Sequence, residues 1–430
     1  MTNIYTLLWW IGSGCLTAIV AVFVILYFRG TFRDRVEYKV KNVPSPQDAR
    51  FPLALASLSN SVVTSGRSTN FWLEAEEISA ARLEAIRSAK HTIHFETFFM
   101  TPGRRANDFA TAIAEKAQAG VRVQIIVDKY GVKTLPQRYW KRLKAAGVEV
   151  RFFNDFNWRS PIDYFARSHR KLLIIDGEFG LIGGAGVSDY WDGRDNIRGT
   201  HPWYDFETRL EGEVVAVLEG MFLQHWTYVH GTADLSTTVS PLRASSNPTI
   251  LVTAGDDPSY RSATVKALFQ VSIHAARQRL WIASPYFLAD KNIRMALVEA
   301  KKRGVDVKIF TNGIRSDKRF VYFASCEQYR DLLAAGIEIY EYQPSMMHAK
   351  ALLLDDRWLS TGSANFDPRS FFHNDELDIS TSDLQLVKHV EKLFVRGFAK
   401  SKQVSFSEWQ KRPLWQRALA KIVLFFESQL

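Results

Sequence analysis

Two segments of this chain carry the same reactive side chains at the same spacing: HRKLLIIDG from His169 and HAKALLLDD from His348. In each, a histidine and a lysine two apart precede four apolar residues and an aspartate, giving His169, Lys171 and Asp176 in one copy and His348, Lys350 and Asp355 in the other. At a strand's period of two, histidine and lysine share a face while the apolar run anchors the strand in a core. A single histidine in such a place is more often structural than catalytic. Two copies in matching context, roughly 180 residues apart, instead suggest one site built from two equivalent strand ends.

That constellation suits a phosphodiester. The lysines supply positive charge for non-bridging oxygens and for the charge that builds in the transition state. One imidazole can attack phosphorus while the other protonates the leaving alcohol, which divides the displacement into two steps through a phosphohistidine. Asn365, in the small-residue turn that starts at Gly362, offers a further donor to phosphate oxygen. Each histidine needs a carboxylate to fix its tautomer, and Asp205 in YDFETRLEG and Glu376 in DELDISTSD occupy matching places after the turns Gly183-Gly184 and Gly362-Ser363. Asp176 and Asp355, at the far strand ends, suit a role in the turn. Arg170 and Lys171 beside His169, and Lys350 beside His348, would repel a cation, so the chemistry reads as independent of metal and cofactor. The chain has no Gly-x4-Gly-Lys-Ser/Thr loop for an NTPase.

These strands need a scaffold, and its elements recur. Helix EISAARLEAIRSAK, strand TIHFETFF, helix NDFATAIAEKAQAG and strand VRVQIIVD are matched by helix TVKALFQVSIHAAR, strand RLWIASPYF, helix NIRMALVEAKKRG and strand VDVKIFTN. AAGVEVRFF from Ala145 has a counterpart in AAGIEIYEY from Ala334. The organisation expected is a transmembrane anchor with basic flank (1–35), a Ser/Pro/Asn-rich linker (36–70), two α/β halves (71–235 and 236–405) and a C-terminal amphipathic helix (406–430).

With 430 residues, 47% hydrophobic, the chain can bury two cores, and its two cysteines exclude a disulfide framework. A net charge of +10 suits an anionic partner, either nucleic acid or an acidic lipid surface. From Tyr5 to Phe28 no residue is charged, which meets the length needed to cross a bilayer, and no basic n-region precedes the run as in a signal peptide. Arg29, Arg33, Arg35, Lys39 and Lys41 follow, which predicts a single-pass protein with its catalytic region in the cytoplasm. From Pro413, a helix with Trp415, Leu419, Ile422, Phe426 and Leu430 on one face and Arg417, Lys421 and Ser428 opposite either docks on the core or lies in a membrane surface. Trp158, Tyr164, Phe165, Trp191 and Trp203, near the first motif, serve packing, base stacking or an acyl-chain entrance.

The duplicated His-x-Lys-x4-Asp with its Gly-Gly/Ser turn resembles the signature of the phospholipase D superfamily, over roughly residues 70 to 405. The anchor, the motif spacing and the basic C-terminal helix make bacterial cardiolipin synthases the most similar members. The resemblance implies pseudo-symmetric α/β/α sandwich halves with mixed sheets. It also implies a site of His169, Lys171, Asp176, His348, Lys350, Asp355 and Asn365, a phosphatidyl-histidine with His169 as nucleophile, and phospholipid substrates such as phosphatidylglycerol at an anionic membrane. Gly186 stands where the pattern has asparagine, so the first half lacks one amide. A hydrolase or nuclease of the same superfamily is the main competing expectation, although small nucleases carry one motif copy and dimerise. A non-enzymatic membrane scaffold is the other, disfavoured by the complete set of histidines and lysines.

Overall fold

The computed structural model describes residues 2–28, 36–155, 158–159, 163–193, 201–233, 247–256, 258 and 262–427. Two mixed sheets carry the fold. The first runs in the order Arg67–Leu73, Phe206–Glu211, Phe179–Gly183, Lys171–Ile175, Thr92–Thr97, Arg122–Asp128, Glu149–Phe153. The second repeats that order as Thr249–Gly255, Asn374–Thr381, Trp358–Gly362, Ala351–Leu354, Arg279–Ala283, Asp306–Asn312, Glu338–Tyr342, with one further strand on each edge. In both, the last three of these strands pair in parallel and the others antiparallel.

Three helices of the first half, Ala75–Ser88, Arg104–Gln118 and Gln137–Ala145, bury their apolar stripes on the outer face of its sheet. Thr264–Ala275, Lys291–Lys302 and Arg319–Ala334 do the same on the second. Between the sheets lie Val214–Tyr228 and Leu384–Ala399, whose Phe222, Trp226, Leu393 and Phe394 join inward residues of both sheets in one shared core. Each half is thus an α/β/α sandwich, and the inner layers are common property.

The expected linker is a correction. Residues 36–70 include helix Phe51–Ser59, whose Phe51 and Leu55 are fully buried in the second half's core, with Phe51 edge-on to Trp358. Val62–Ser65 then adds an edge strand to Thr249–Gly255. The segment packs because its i, i+4 pair meets a waiting apolar face, although its Ser and Pro content reads as irregular.

Helix Thr2–Phe28 is long and apolar enough to cross a membrane, and Trp9, Trp10, Ile19 and Ile25 are exposed along it. Of its expected basic flank, Arg29, Arg33 and Arg35 lie outside the described residues, as does the 235/236 boundary. The C-terminal helix Leu414–Phe425 packs on Arg319–Ala334 through Ala420 and a Trp415–Phe323 ring contact, leaving Leu414, Trp415, Ile422 and Phe425 exposed. Phe425 also meets Phe23 of the N-terminal helix edge to face. Ser428 and Leu430 lie outside the described residues.

Asp176 and Asp355 close the strand–turn corners at the ends away from the histidines. Asp176 accepts from the backbone N–H groups of Lys90, His91 and Thr92, and Asp355 from those of Arg277, Gln278 and Arg279. Both adopt left-handed backbone, with φ of 54° and 45°. They are scaffold residues and not, as the signature implies, members of the reactive site. Asp355→Ala should therefore cost about 2 to 4 kcal/mol of stability, by stranding backbone donors. A thermal-unfolding midpoint equal to the parent's would refute the clamp.

Candidate active site

The chain leading into each histidine pairs with the strand of the other half. Arg167–Ser168 runs parallel to Asn374–Asp375, and the His169 N–H donates to the Asp375 carbonyl at 2.8 Å. Reciprocally, the His348 N–H donates to the Tyr204 carbonyl at 2.7 Å. The next residue along each partner strand is the carboxylate. His169 Nδ1 lies 2.9 Å from Glu376 Oε2, and His348 Nδ1 lies 2.8 Å from Asp205 Oδ2. The orienting carboxylates expected from sequence are thus exchanged between halves. With Nδ1–H committed to a carboxylate, each imidazole presents an Nε2 lone pair.

Lys171 and Lys350 are held at the same point, each donating to the carbonyl of its own motif histidine at 2.7 Å, and Lys350 Nζ sits 3.2 Å from His348 Nε2. All of these side chains are buried or nearly so. Burial pushes His169 down to about 4 against the pull of Glu376, with Lys171 reinforcing it. Burial and Lys350 bring His348 to about 4 against Asp205. Burial and the neighbouring Lys350 lower Lys171 to about 7, and burial lowers Lys350 to about 8 against Asp205 and Glu376. For Glu376, burial alone would raise the carboxyl, but His169, Lys171 and Ser363 hold it at about 2. Asp205 is likewise held low against burial by His348, Lys350 and the Trp191 N–H. The result is two neutral imidazoles on ionised carboxylates, with two ammonium groups poised near neutrality.

The halves then diverge. Ser363 and Ser370 both donate to Glu376, and Asn365 is buried with its Oδ1 unpartnered among the described residues. In the first half, Gly186 replaces that asparagine, and a Cβ there would come 2.6 Å from the Phe99 carbonyl oxygen. Arg82 instead binds the Gly186 and Ala185 carbonyls, at 3.0 and 2.8 Å, together with Glu207. The residue matching Glu207 by register is Asp378, since they pair with Gly183 and Gly362 respectively. Burial and nearby Glu376 push Asp378 up to about 8.

His169 and Asn365 line a cavity of about 400 Å³, walled by Phe98, Tyr164, Phe165 and Phe320. His348 instead lies under Trp191 and Trp203, with ring centroids at 5.1 and 5.8 Å. Trp158 is exposed and carries Arg159 over its ring. Sequence reading missed Arg82, Glu207, Ser370, Asp378 and the cavity cations Lys318 and Arg369. Of these, only Glu207 and Asp378 had a visible signal, two residues along from each orienting carboxylate. Behind the site, His225, Asp256 and Asp375 are spaced to hold a cation among the described residues, and the Arg170 guanidinium bound to Asp256 already brings positive charge there.

An anion at this point is favoured by charged lysines, so its binding is full at low pH and lost as pH rises through about 7 to 8. Sulfate, whose own charge is constant across this range, should bind about tenfold more weakly at pH 9 than at pH 6.5. Titration calorimetry showing equal affinity at both would refute this electrostatic assignment.

Residues 83–190 and 270–397 match the family described as cardiolipin synthase, phospholipase D-like domain. A cardiolipin synthase of Alkalihalophilus pseudofirmus is 32% identical over 90% of this chain and 77% of its own length, and cardiolipin synthase 2 of Bacillus anthracis is 33% identical over 86% and 72%. The crystal structure of a phosphatidylserine synthase from Haemophilus influenzae superposes with a TM-score of 0.69 at 14% identity, over 88% of this chain and 99% of that one, so the fold is shared. Both matched segments carry a histidine of the exchanged pair, and the chain belongs to the phospholipase D-like family of cardiolipin synthases.

Proposed function

We propose that the chain is a phosphatidyltransferase that joins two phosphatidylglycerol molecules into cardiolipin and releases glycerol. The observation that carries this reading is the reciprocal seating of His169 on Glu376 and His348 on Asp205, which prepares one imidazole to attack and the other to manage a proton. In the first step, Nε2 of one histidine bonds to phosphorus as the bond to the glycerol oxygen breaks. The other histidine, charged once an anionic phosphodiester lies between them, gives its proton to that oxygen. In the second, the same histidine takes the proton of an acceptor hydroxyl, whose oxygen displaces the phosphohistidine nitrogen. Lys171, Lys350 and Asn365 serve the phosphoryl oxygens throughout.

Transfer rather than hydrolysis needs lipid near and water away. The aromatic wall of the cavity supports that, as does its mouth, where Phe165 and Phe320 are exposed. Helix Arg319–Ala334 starts at this mouth and continues to the exposed apolar side of Leu414–Phe425, which in turn meets the N-terminal helix. We read these as one membrane face: a single-pass anchor, a helix lying in the interface and a cavity opening between them. The basic residues after the anchor favour a cytoplasmic catalytic region.

The purified chain in phosphatidylglycerol vesicles should release glycerol and accumulate cardiolipin. Phosphatidic acid alone would identify a hydrolase, and cleavage of single-stranded DNA without lipid turnover a nuclease. His169→Ala and His348→Ala should each abolish turnover, with the double variant no worse than either, because the pair acts as a unit. Asn365→Ala should cost about 2 to 4 kcal/mol of transition-state stabilisation, since the first half has no equivalent amide; an unchanged kcat/KM would show that phosphate is held otherwise.

A further inference from the structure

The cavity beside His169 contains more positive charge than one phosphodiester uses. Its lining includes Arg167, Lys318 and Arg369 against a single carboxylate, Asp367. Arg167 is turned to Asp128 and to the Ala166 carbonyl, so it belongs to the wall. Arg369 reaches the Phe165 carbonyl and Asn374 Oδ1, each at 3.4 Å. Lys318, exposed at the start of helix Arg319–Ala334, lies over the Tyr286 ring at 4.9 Å. Asp367 caps the short helix Pro368–Phe372 through the Ser370 N–H at 2.8 Å, and its single carboxyl, facing both cations, can offset only one of them. The reacting phosphate already has Lys171, Lys350 and Asn365. A diacylglycerol body carries no charge for Lys318 and Arg369 to meet.

Resting on the transferase reading above, we infer that Lys318 and Arg369 form a second anion subsite, which binds the phosphate of the acceptor lipid while its terminal hydroxyl approaches the phosphohistidine. The acceptor phosphatidylglycerol bears its phosphate at the other end of a three-carbon glycerol bridge from the attacking hydroxyl. A neutral alcohol such as free glycerol has no such group. The subsite therefore selects a phosphate-bearing alcohol over glycerol and water, and it takes no part in forming the phosphohistidine. Aromatic and aliphatic neighbours, Tyr130, Tyr164, Phe165, Phe320 and Val321, give the acceptor's acyl chains an apolar exit beside the charged pair.

The test compares two acceptors on one donor. Full-length protein is placed in phosphatidylglycerol vesicles with isotopically labelled glycerol, and cardiolipin formation is measured alongside incorporation of label into phosphatidylglycerol. Lys318→Gln should lower cardiolipin formation about tenfold, as loss of a charge-assisted contact to phosphate does, while label exchange changes by less than about twofold. Lys318→Arg should restore most of the cardiolipin. Equal loss of both products would show that Lys318 serves the donor or the fold, and loss of neither would show that no acceptor phosphate is bound there; either result overturns the subsite. If free glycerol 3-phosphate competes with cardiolipin formation as well as a short-chain phosphatidylglycerol does, the site recognises phosphate alone and the acyl exit is overturned. Parent protein that neither forms cardiolipin nor exchanges label would fail at the earlier step, and the transferase reading would fall with it.

Discussion

Neither half of this protein can finish its own histidine. His169 is oriented by Glu376 and His348 by Asp205, and each imidazole's strand is stitched by a backbone bond to the residue before the other half's carboxylate. A relative shift of the halves by even one ångström would break both pairs together, because a charge-assisted hydrogen bond at 2.8 to 2.9 Å tolerates little displacement. This explains the shared core between the sheets, where Phe222 and Trp226 of one inner helix meet the layer that holds Leu393 and Phe394 of the other. Rigid docking of the halves is a requirement of the chemistry.

Burial gives that docking its chemical effect. Burial desolvates the two imidazoles, so they remain neutral although each touches an anion. The same desolvation makes the lysines reluctant cations, with the Lys171–Lys350 repulsion adding to it. In the proposed reaction an incoming phosphodiester relieves both penalties, since it supplies the counter-charge that the buried lysines lack. Substrate binding and activation of the acid histidine are thereby coupled through one local potential.

What the amino-acid pattern disclosed follows from how local each signal is. The His-Lys pairs, the small-residue turns and both orienting carboxylates sit in short repeated strings, so duplication exposed them. The exchange of carboxylates between halves did not show, because pairing of Arg167–Ser168 with Asn374–Asp375 spans over 200 residues. Asp176 and Asp355 share the motif's spacing, yet the apolar run between them and the histidines already set them at the far strand ends, where they clamp backbone donors. The lead-in helix was hidden for the opposite reason: Phe51 and Leu55 form too short a stripe to signal a helix without the core that receives them. Lys318 and Arg369, on separate elements around the cavity, have no periodicity to betray them.

The departure from symmetry has a physical logic of its own. A glycine at 186 lets the Phe99 backbone and Trp191 close over the first half's turn, and Trp191 then both donates to Asp205 and covers His348. Arg82 ties the same turn from beneath and neutralises Glu207. In the second half the corresponding turn stays open to the cavity through Asn365, and Asp378 has no arginine partner among the described residues, so burial pushes its carboxyl up toward the protonated form. One side of the pseudo-symmetric centre is thus sealed by packing and the other left as an entrance. A duplicated fold that needed a single doorway to a two-histidine site had to lose symmetry at the turns that flank the histidines. The Asn-to-Gly difference is then the sealing of one door, while the half that keeps Asn365 stays open to the cavity.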